Sequence, residues 1–403
     1  MIKISFIGDI MFEKQFIAAS RKEGKYDFSN LFNYVHVLLK RSDYVVANLE
    51  TVFAGENNKY TNGIYSFNTP DEALNAIAES GINLLCTANN HCLDRGVAGL
   101  IRTMNVLANR QIEYTGTYLN PKEKNRSHIV GIKGVKYAFM SYTYGTNTIE
   151  NKIVLSEEEV GHINLLNKQT TRKLNLVGRK KSLARKFANK VALVCFSSEN
   201  RMRIKKALGL KLNVPIVDDN IEIDYSYIEK FKNDVISTKQ KADILFLCLH
   251  SGGQFNEEPG NFTKKIVKIA LNAGVDYIIG SHPHVVQKFE EQLSKKVFFS
   301  LGNFSLSPSS IYVLHELKPE YGIIPHFYFD ENTSALVSIT FTIIKMVEEN
   351  NHVLSVFPIS YLYNIISDSE KERLLNDVIF IYNRVLPGRK QKRIEIQEEY
   401  KIF

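Results

Sequence analysis

The chain has 403 residues, 44% of them hydrophobic, and a formal net charge of +8. That is enough apolar material for one elaborated domain, or two ordinary ones, to bury a core without help from cross-links. Four cysteines are too few for a disulfide scaffold, and no segment approaches the ~20 apolar residues of a membrane span, which excludes small disulfide-built domains and helical membrane proteins.

In chain order, short β-branched and aromatic runs alternate with amphipathic stretches. "IKISFIG" (2–8) and "DYVVANLE" (43–50) read as strands, followed by a helix in "TPDEALNAIAESG" (69–81), punctuated by proline and acids at its start and glycine at its end. The strand "INLLCTANN" (82–90) leads to a helix in "GVAGLIRTMNVLANRQ" (96–111). "GIKGVKYAF" (131–139) predicts a hairpin turning at Gly134, whose second arm continues as "VKYAFMSYTY" (135–144). After it come the strands "VALVCFSS" (191–198), "DILFLCLH" (243–250) and "DYIIGSH" (276–282), the helix "NFTKKIVKIALNAG" (261–274) and the strand "KVFFSLGNF" (296–304). Several of these runs are apolar throughout, as in sheets covered on both faces. The fold class is layered α/β.

The positive charge is local. Residues 168–211 hold 14 Lys or Arg and one acid, leaving 37 basic and 42 acidic residues elsewhere, so the basicity belongs to an insert within a variable region, 150–240, of a single domain, 1–403. Such an insert can hold a polyanion, an acidic membrane surface or nucleic acid. Phe187 and Phe196 are its only aromatic residues, which argues against base stacking and makes nucleic acid the weakest of the three. The N-terminus, "MIKISFIGDIM", lacks the basic and apolar regions of a secretory leader, and a cytoplasmic location is the expectation.

Polar residues able to bind metal or move protons recur where the apolar runs end: Asp9, Glu50, Asn89, Asn90, His91, His250, His282 and His284. Strand ends and the loops after them are where ligands sit in α/β sheets. Histidines, carboxylates and carboxamides together suit Zn, Mn or Fe, whereas Mg and Ca prefer oxygen alone. In "SHPHVV", Pro283 restricts the backbone between His282 and His284, so both rings can serve one pocket at little further entropic cost. The remaining histidines, His36, His128, His162, His315, His326 and His352, lack companions at ligand spacing and read as surface or satisfied core residues. Tyr65 and Phe67 are candidates for the rim of the cleft.

The ordered motifs "GDIM", "NLE", "ANNHCLDRG", "SYTYGTN", "LH", "GSHPHVVQ" and "SLGNF" resemble the bacterial capsule-synthesis family typified by CapA, the poly-γ-glutamate capsule biosynthesis proteins, relatives of the calcineurin-like metallophosphoesterases. The resemblance runs to about residue 306 outside the basic insert. It implies a four-layer α/β/β/α sandwich of the metallophosphoesterase type. It further implies a phosphoester or anionic polymer as substrate, with capsule-synthesis machinery as partner. Under it, Glu50 bridges two positions; Asn90, His250 and His282 complete one, and Asp9 and His284 the other. His91, oriented by Asp94, handles the departing oxygen, and Asn48, Asn89 and Asn303 line the substrate side. The phosphoesterase signature has a histidine where this chain has Met11, so one well-held metal and a weaker second are expected. "HSGGQF" also departs from the family's usual Trp-Gly and acid, placing Ser251 and Gln254 there. Three functions stay open: metal-dependent hydrolysis; binding and transfer of an anionic polymer without turnover; and nucleic-acid phosphodiester cleavage, which only the basic insert supports.

Overall fold

The computed structural model describes residues 1–169, 198–208 and 221–403. The strand expected at 191–198 and most of the basic insert lie outside the described residues.

The described strands are β1 (Ile2–Ile10), β2 (Arg21–Lys22), β3 (Lys25–Tyr26), β4 (Tyr44–Leu49), β5 (Leu84–Cys86), β6 (Glu113–Thr115), β7 (His128–Ile132), β8 (Val135–Thr143), β9 (Ile244–His250), β10 (Tyr277–Ser281), β11 (Phe289–Gln292), β12 (Lys295–Phe298), β13 (Asn303–Ser305), β14 (Tyr321–Phe329), β15 (Leu336–Glu348), β16 (Leu354–Pro358) and β17 (Tyr400–Lys401). Nine of them form one sheet with the order β16-β15-β14-β1-β4-β5-β6, to which β13 adds at β1 and β17 at β15. Six form a second, β11-β12-β10-β9-β8-β7. The class is mixed α/β, as the alternation of runs predicts.

The two sheets face one another through an aromatic core. The rings of Phe6 on β1 and Phe246 on β9 lie 4.8 Å apart, and Tyr44 on β4 stacks on Phe139 of β8 at 5.3 Å. All nine residues of β1 are buried, the polar Lys3, Ser5 and Asp9 among them. A second cluster covers the other face of the larger sheet, using Leu74 and Ile77 of the helix Ala73–Glu79. A third covers the smaller sheet with Phe231 and Val235 of helix Tyr225–Lys239 and Ile266 and Ala270 of helix Asn261–Ala273. The latter helix ends at Gly274, φ 118°, a left-handed cap that a side chain would strain.

The hairpin forms where expected: β7 and β8 join through Lys133 and Gly134, both at positive φ (47° and 87°), the backbone of a two-residue primed turn. The run 296–304 is not one strand. β12 pairs β10 in the smaller sheet, while β13 pairs β1 in the larger, so the chain changes sheets in between. Gly302 makes the step at φ 73°, with the Tyr321 carbonyl only 2.9 Å from where a Cβ would sit. No helix among the described residues is long and apolar enough to cross a membrane.

Candidate metal centre

Parallel pairing brings the strand ends of both sheets to one place. Asp9 lies beside Asn48 and Asn303 in register on β1, β4 and β13; His250 lies beside Ser281 on β9 and β10. The residue after β4 is Glu50, and the loop after β5 carries Asn89, Asn90 and His91.

Two sets of donors result, each within 4.8 Å: Glu50 with His250 and His282, and Asp9 with Glu50 and His284. Glu50 belongs to both. Its Oε1 is 3.6 Å from His250 Nε2 and 3.6 Å from His284 Nε2, and 3.8 Å from His91 Nε2. Yet both Glu50 oxygens are buried without a hydrogen-bond partner, as is His282 Nδ1. An orphaned buried carboxylate is costly unless something charged completes it. Asn90 Oδ1 approaches His250 Nε2 at 2.7 Å and so lies with the first set.

Burial, reinforced by Asp9 and Asp94, holds the Glu50 carboxyl well above the usual carboxylate range. Burial and the neighbouring histidines hold His250 and His282 well below the usual imidazole range. Both rings are therefore neutral, the form in which imidazole binds a metal. The nitrogen and oxygen donors, the orphaned carboxylate and the neutral rings fit a divalent transition ion.

The backbone is shaped for this. His282 has φ 98° and His284 φ 56°, left-handed conformations on either side of Pro283 that a non-glycine residue adopts only when its surroundings enforce it. Part of that enforcement is visible: the His282 amide donates to Asp9 Oδ2 at 3.2 Å, and His284 Nδ1 lies 2.9 Å from Asn303 Oδ1 and 3.2 Å from Asp9 Oδ2.

Beside the donors, "HCLD" closes as a turn in which the Asp94 amide donates to the His91 carbonyl, bringing His91 Nδ1 to 2.7 Å from Asp94 Oδ2. Asp94 Oδ2 also accepts from the Phe67 amide at 2.6 Å, and the Phe67 ring packs edge-on against His91 at 4.6 Å.

A family model described as bacterial capsule synthesis protein PGA_cap matches residues 3–307. The chain belongs to that family. Among its capsule-synthesis relatives, it is 23% identical over 307 residues to the PGA biosynthesis protein CapA of Bacillus subtilis (strain 168), covering 75% of this chain and 63% of that protein. Against the capsule biosynthesis protein CapA of Bacillus anthracis it is 22% identical over 306 residues, covering 75% and 59%. The chain thus spans less than two thirds of these curated relatives. A solved structure of a hypothetical protein from Thermus thermophilus overlaps 89% of this chain and 98% of its own at 13% identity and a TM-score of 0.37.

In this capsule synthesis protein, Asn48, Asn89 and Asn303 are buried, and their amides serve the protein itself. Asn48 Nδ2 donates to Asp9 Oδ1 at 2.7 Å; Asn89 Nδ2 donates to the Leu49 carbonyl at 2.6 Å; Asn303 Nδ2 donates to the His284 and Pro319 carbonyls at 2.9 Å. Their amide nitrogens are thus held by neighbouring protein groups, two of them at Asp9 and His284. Met11 is 1% exposed and packs in the core with Phe12 and Phe16. Three neighbours were not singled out from sequence. Asn147 Nδ2 approaches His91 Nδ1 at 3.1 Å and its Oδ1 accepts from Asn90 at 3.0 Å; Ser281 Oγ is 2.9 Å from His250 Nδ1; and Tyr144 packs on His282 at 4.9 Å. "SYTYGTN" contained Asn147 and Tyr144, but only their position after β8, parallel to β9, brings them here.

Proposed function

We propose that this capsule-family protein is a metal-dependent hydrolase of surface-polymer synthesis, acting on a phosphoester or related bond. The observation that carries the reading is Glu50, a buried carboxylate without a hydrogen-bond partner, ringed by histidines and shared between two donor sets. Asn90, His250 and His282 would hold a divalent ion of Mn, Zn or Fe on one side of Glu50; Asp9 and His284 would hold a weaker second. Such an ion supplies Lewis-acid stabilisation of phosphoryl charge and makes water more acidic. His91 would carry the proton to the departing oxygen, with Asp94 fixing the ring through Nδ1 and stabilising its charged form, and Asn147 restricting its tilt. Asn48, Asn89 and Asn303 orient the donors.

The sheets and their outer helices are read as the four-layer sandwich of metallophosphoesterases. Because β14–β17 complete the sheet that β1 begins, residues 1–403 are read as one domain carrying the basic insert.

Protein purified without chelator should contain about one equivalent of metal and hydrolyse bis-p-nitrophenyl phosphate. Chelation should abolish the rate, Mn or Zn should restore it, and Glu50→Gln should lose both metal and rate. Metal retained in full by Glu50→Gln would sink the assignment. Bound metal without turnover would instead support the second reading, binding and transfer of an anionic polymer. Met11, buried in the core where a further histidine ligand was expected, favours that alternative.

A further inference from the structure

Parallel pairing of β9 with β10 sets His250 and Ser281 directly beside each other, so both buried side chains leave the smaller sheet on the same face. The two ring nitrogens of His250 then keep different company. Nε2 is turned to Glu50, 3.6 Å from its Oε1, and lies 2.7 Å from Asn90 Oδ1. Nδ1 lies 2.9 Å from Ser281 Oγ and 3.3 Å from Asn48 Nδ2.

These neighbours decide which nitrogen carries the hydrogen. Asn90 is fixed end for end: its Nδ2 donates to Asn147 Oδ1 at 3.0 Å, so its oxygen is the atom presented to His250. A carboxamide oxygen only accepts. In this arrangement Nε2 therefore carries the hydrogen and donates it to Asn90, while Nδ1 keeps the lone pair that the Asn48 amide approaches.

That tautomer cannot coordinate through Nε2. For Nε2 to offer a lone pair, the neutral ring must carry its hydrogen on Nδ1 instead. The Asn48 nitrogen, already donating to Asp9 Oδ1 at 2.7 Å, has no lone pair with which to receive it. A hydroxyl both donates and accepts. Ser281 Oγ can donate to Nδ1 in one tautomer and accept from it in the other.

We propose that Ser281 is a positioning residue of the metal centre, its hydroxyl selecting the His250 tautomer whose Nε2 can coordinate an ion. The inference rests on the reading of His250 as a metal ligand. One proton leaves Nε2 and one arrives at Nδ1, so the ring is neutral before and after. The same change removes the hydrogen between Nε2 and Asn90 Oδ1, and both atoms can then face one ion.

Zinc affinity and nitrogen-15 NMR of the histidine-labelled full chain test it, the His250 signals being assigned by their loss in His250→Gln. In chelator His250 should carry its hydrogen on Nε2; with zinc, on Nδ1. Ser281→Ala leaves the Nδ1 hydrogen buried without an acceptor and should weaken zinc by about 10–100-fold. Ser281→Thr keeps the hydroxyl and should restore most of the affinity. Zinc held by Ser281→Ala as tightly as by the wild type, or a zinc-loaded wild type with no hydrogen on Nδ1, would overturn the proposal and leave the metal reading standing. A wild type that takes up no zinc would overturn both. If Ser281→Ala fails to fold by circular dichroism, the two wild-type spectra decide alone: a hydrogen that stays on the same nitrogen with and without zinc overturns the proposal.

Discussion

Replacing His282 by alanine and by glycine separates what its ring does from what its backbone endures. At φ 98° a residue with a Cβ carries strain of order 1–3 kcal/mol. Both substitutions remove the buried ring nitrogen that lacks a partner and the ring contacts with Tyr144 and His250. Those changes cancel when the two variants are compared. Glycine also escapes the strain, at a cost of about 0.5–1 kcal/mol in the freedom of the unfolded chain. In chelator, His282→Gly should therefore be the more stable variant by about 1 kcal/mol, read from urea midpoints at equal slope. Zinc then reports on the ring. The wild type should gain about 2.7 kcal/mol at a hundredfold excess over its dissociation constant, and both variants should lose most of that gain. If alanine is as stable as glycine, the backbone at 282 is not strained. If either variant keeps the full zinc-dependent gain, His282 is not a ligand.

His91→Gln should retain metal and fold but lose about 10²-fold or more in phosphoesterase rate, and the loss should shrink for a nitrophenol leaving group if His91 donates a proton; equal loss for good and poor leaving groups would exclude that role. Because burial raises the Glu50 carboxyl well above the carboxylate range and lowers His250 and His282 well below the imidazole range, zinc uptake should release a proton and tighten as pH rises towards neutrality, measured by titration in buffers of differing ionisation heat; an affinity independent of pH would contradict it. His326, wedged between Ser5 Oγ at 2.7 Å and Thr342 Oγ1 at 3.0 Å, is pushed by burial down to about 3 from 6.5. The unfolded chain therefore binds a proton there that the native protein refuses, so its contribution is intact above about pH 6.5 and is lost as pH falls towards 3, by up to about 1.4 kcal/mol per unit. His326→Gln should flatten that slope in urea titrations; an unchanged slope would mean the native ring accepts the proton.

The parts of the fold legible in the sequence are those where one local cause dominates. Gly274 ends a helix and Gly134 turns a hairpin because left-handed backbone has few tenants other than glycine. The donor residues were visible because each follows an apolar run, and parallel pairing aligns such ends. The 296–304 run misled because its composition is uniform while its partners are not; the switch of sheets at Gly302 is set by β1 and β10, far away in sequence. The strands β14 to β16 were not read at all. Pro325 interrupts the first of them, and a proline inside a run argues against a strand with neighbours on both sides. β14 accommodates it because its pairing with β1 stops at His326, one residue short of the ring. Asn48, Asn89 and Asn303 could be located but not assigned, since whether an amide faces ligand or protein is decided by packing.

Asp9 lies in β1, and Glu50 and Asn90 follow β4 and β5, all of the larger sheet; His250 and His282 come from the smaller one. Neither sheet alone contains a complete donor set around Glu50. The cluster therefore comes into being only when the sheets dock, and its tolerances are those of their aromatic contact. A slip of one residue along a strand is about 3.3 Å, close to the whole of the 3.6 Å that separates Glu50 from His250 and from His284. Phe6 and Phe246 meet across the two sheets, so their contact helps fix the spacing between the two halves of the centre. Repacking that distant contact is thus a means of retuning the chemistry without altering any residue that performs it.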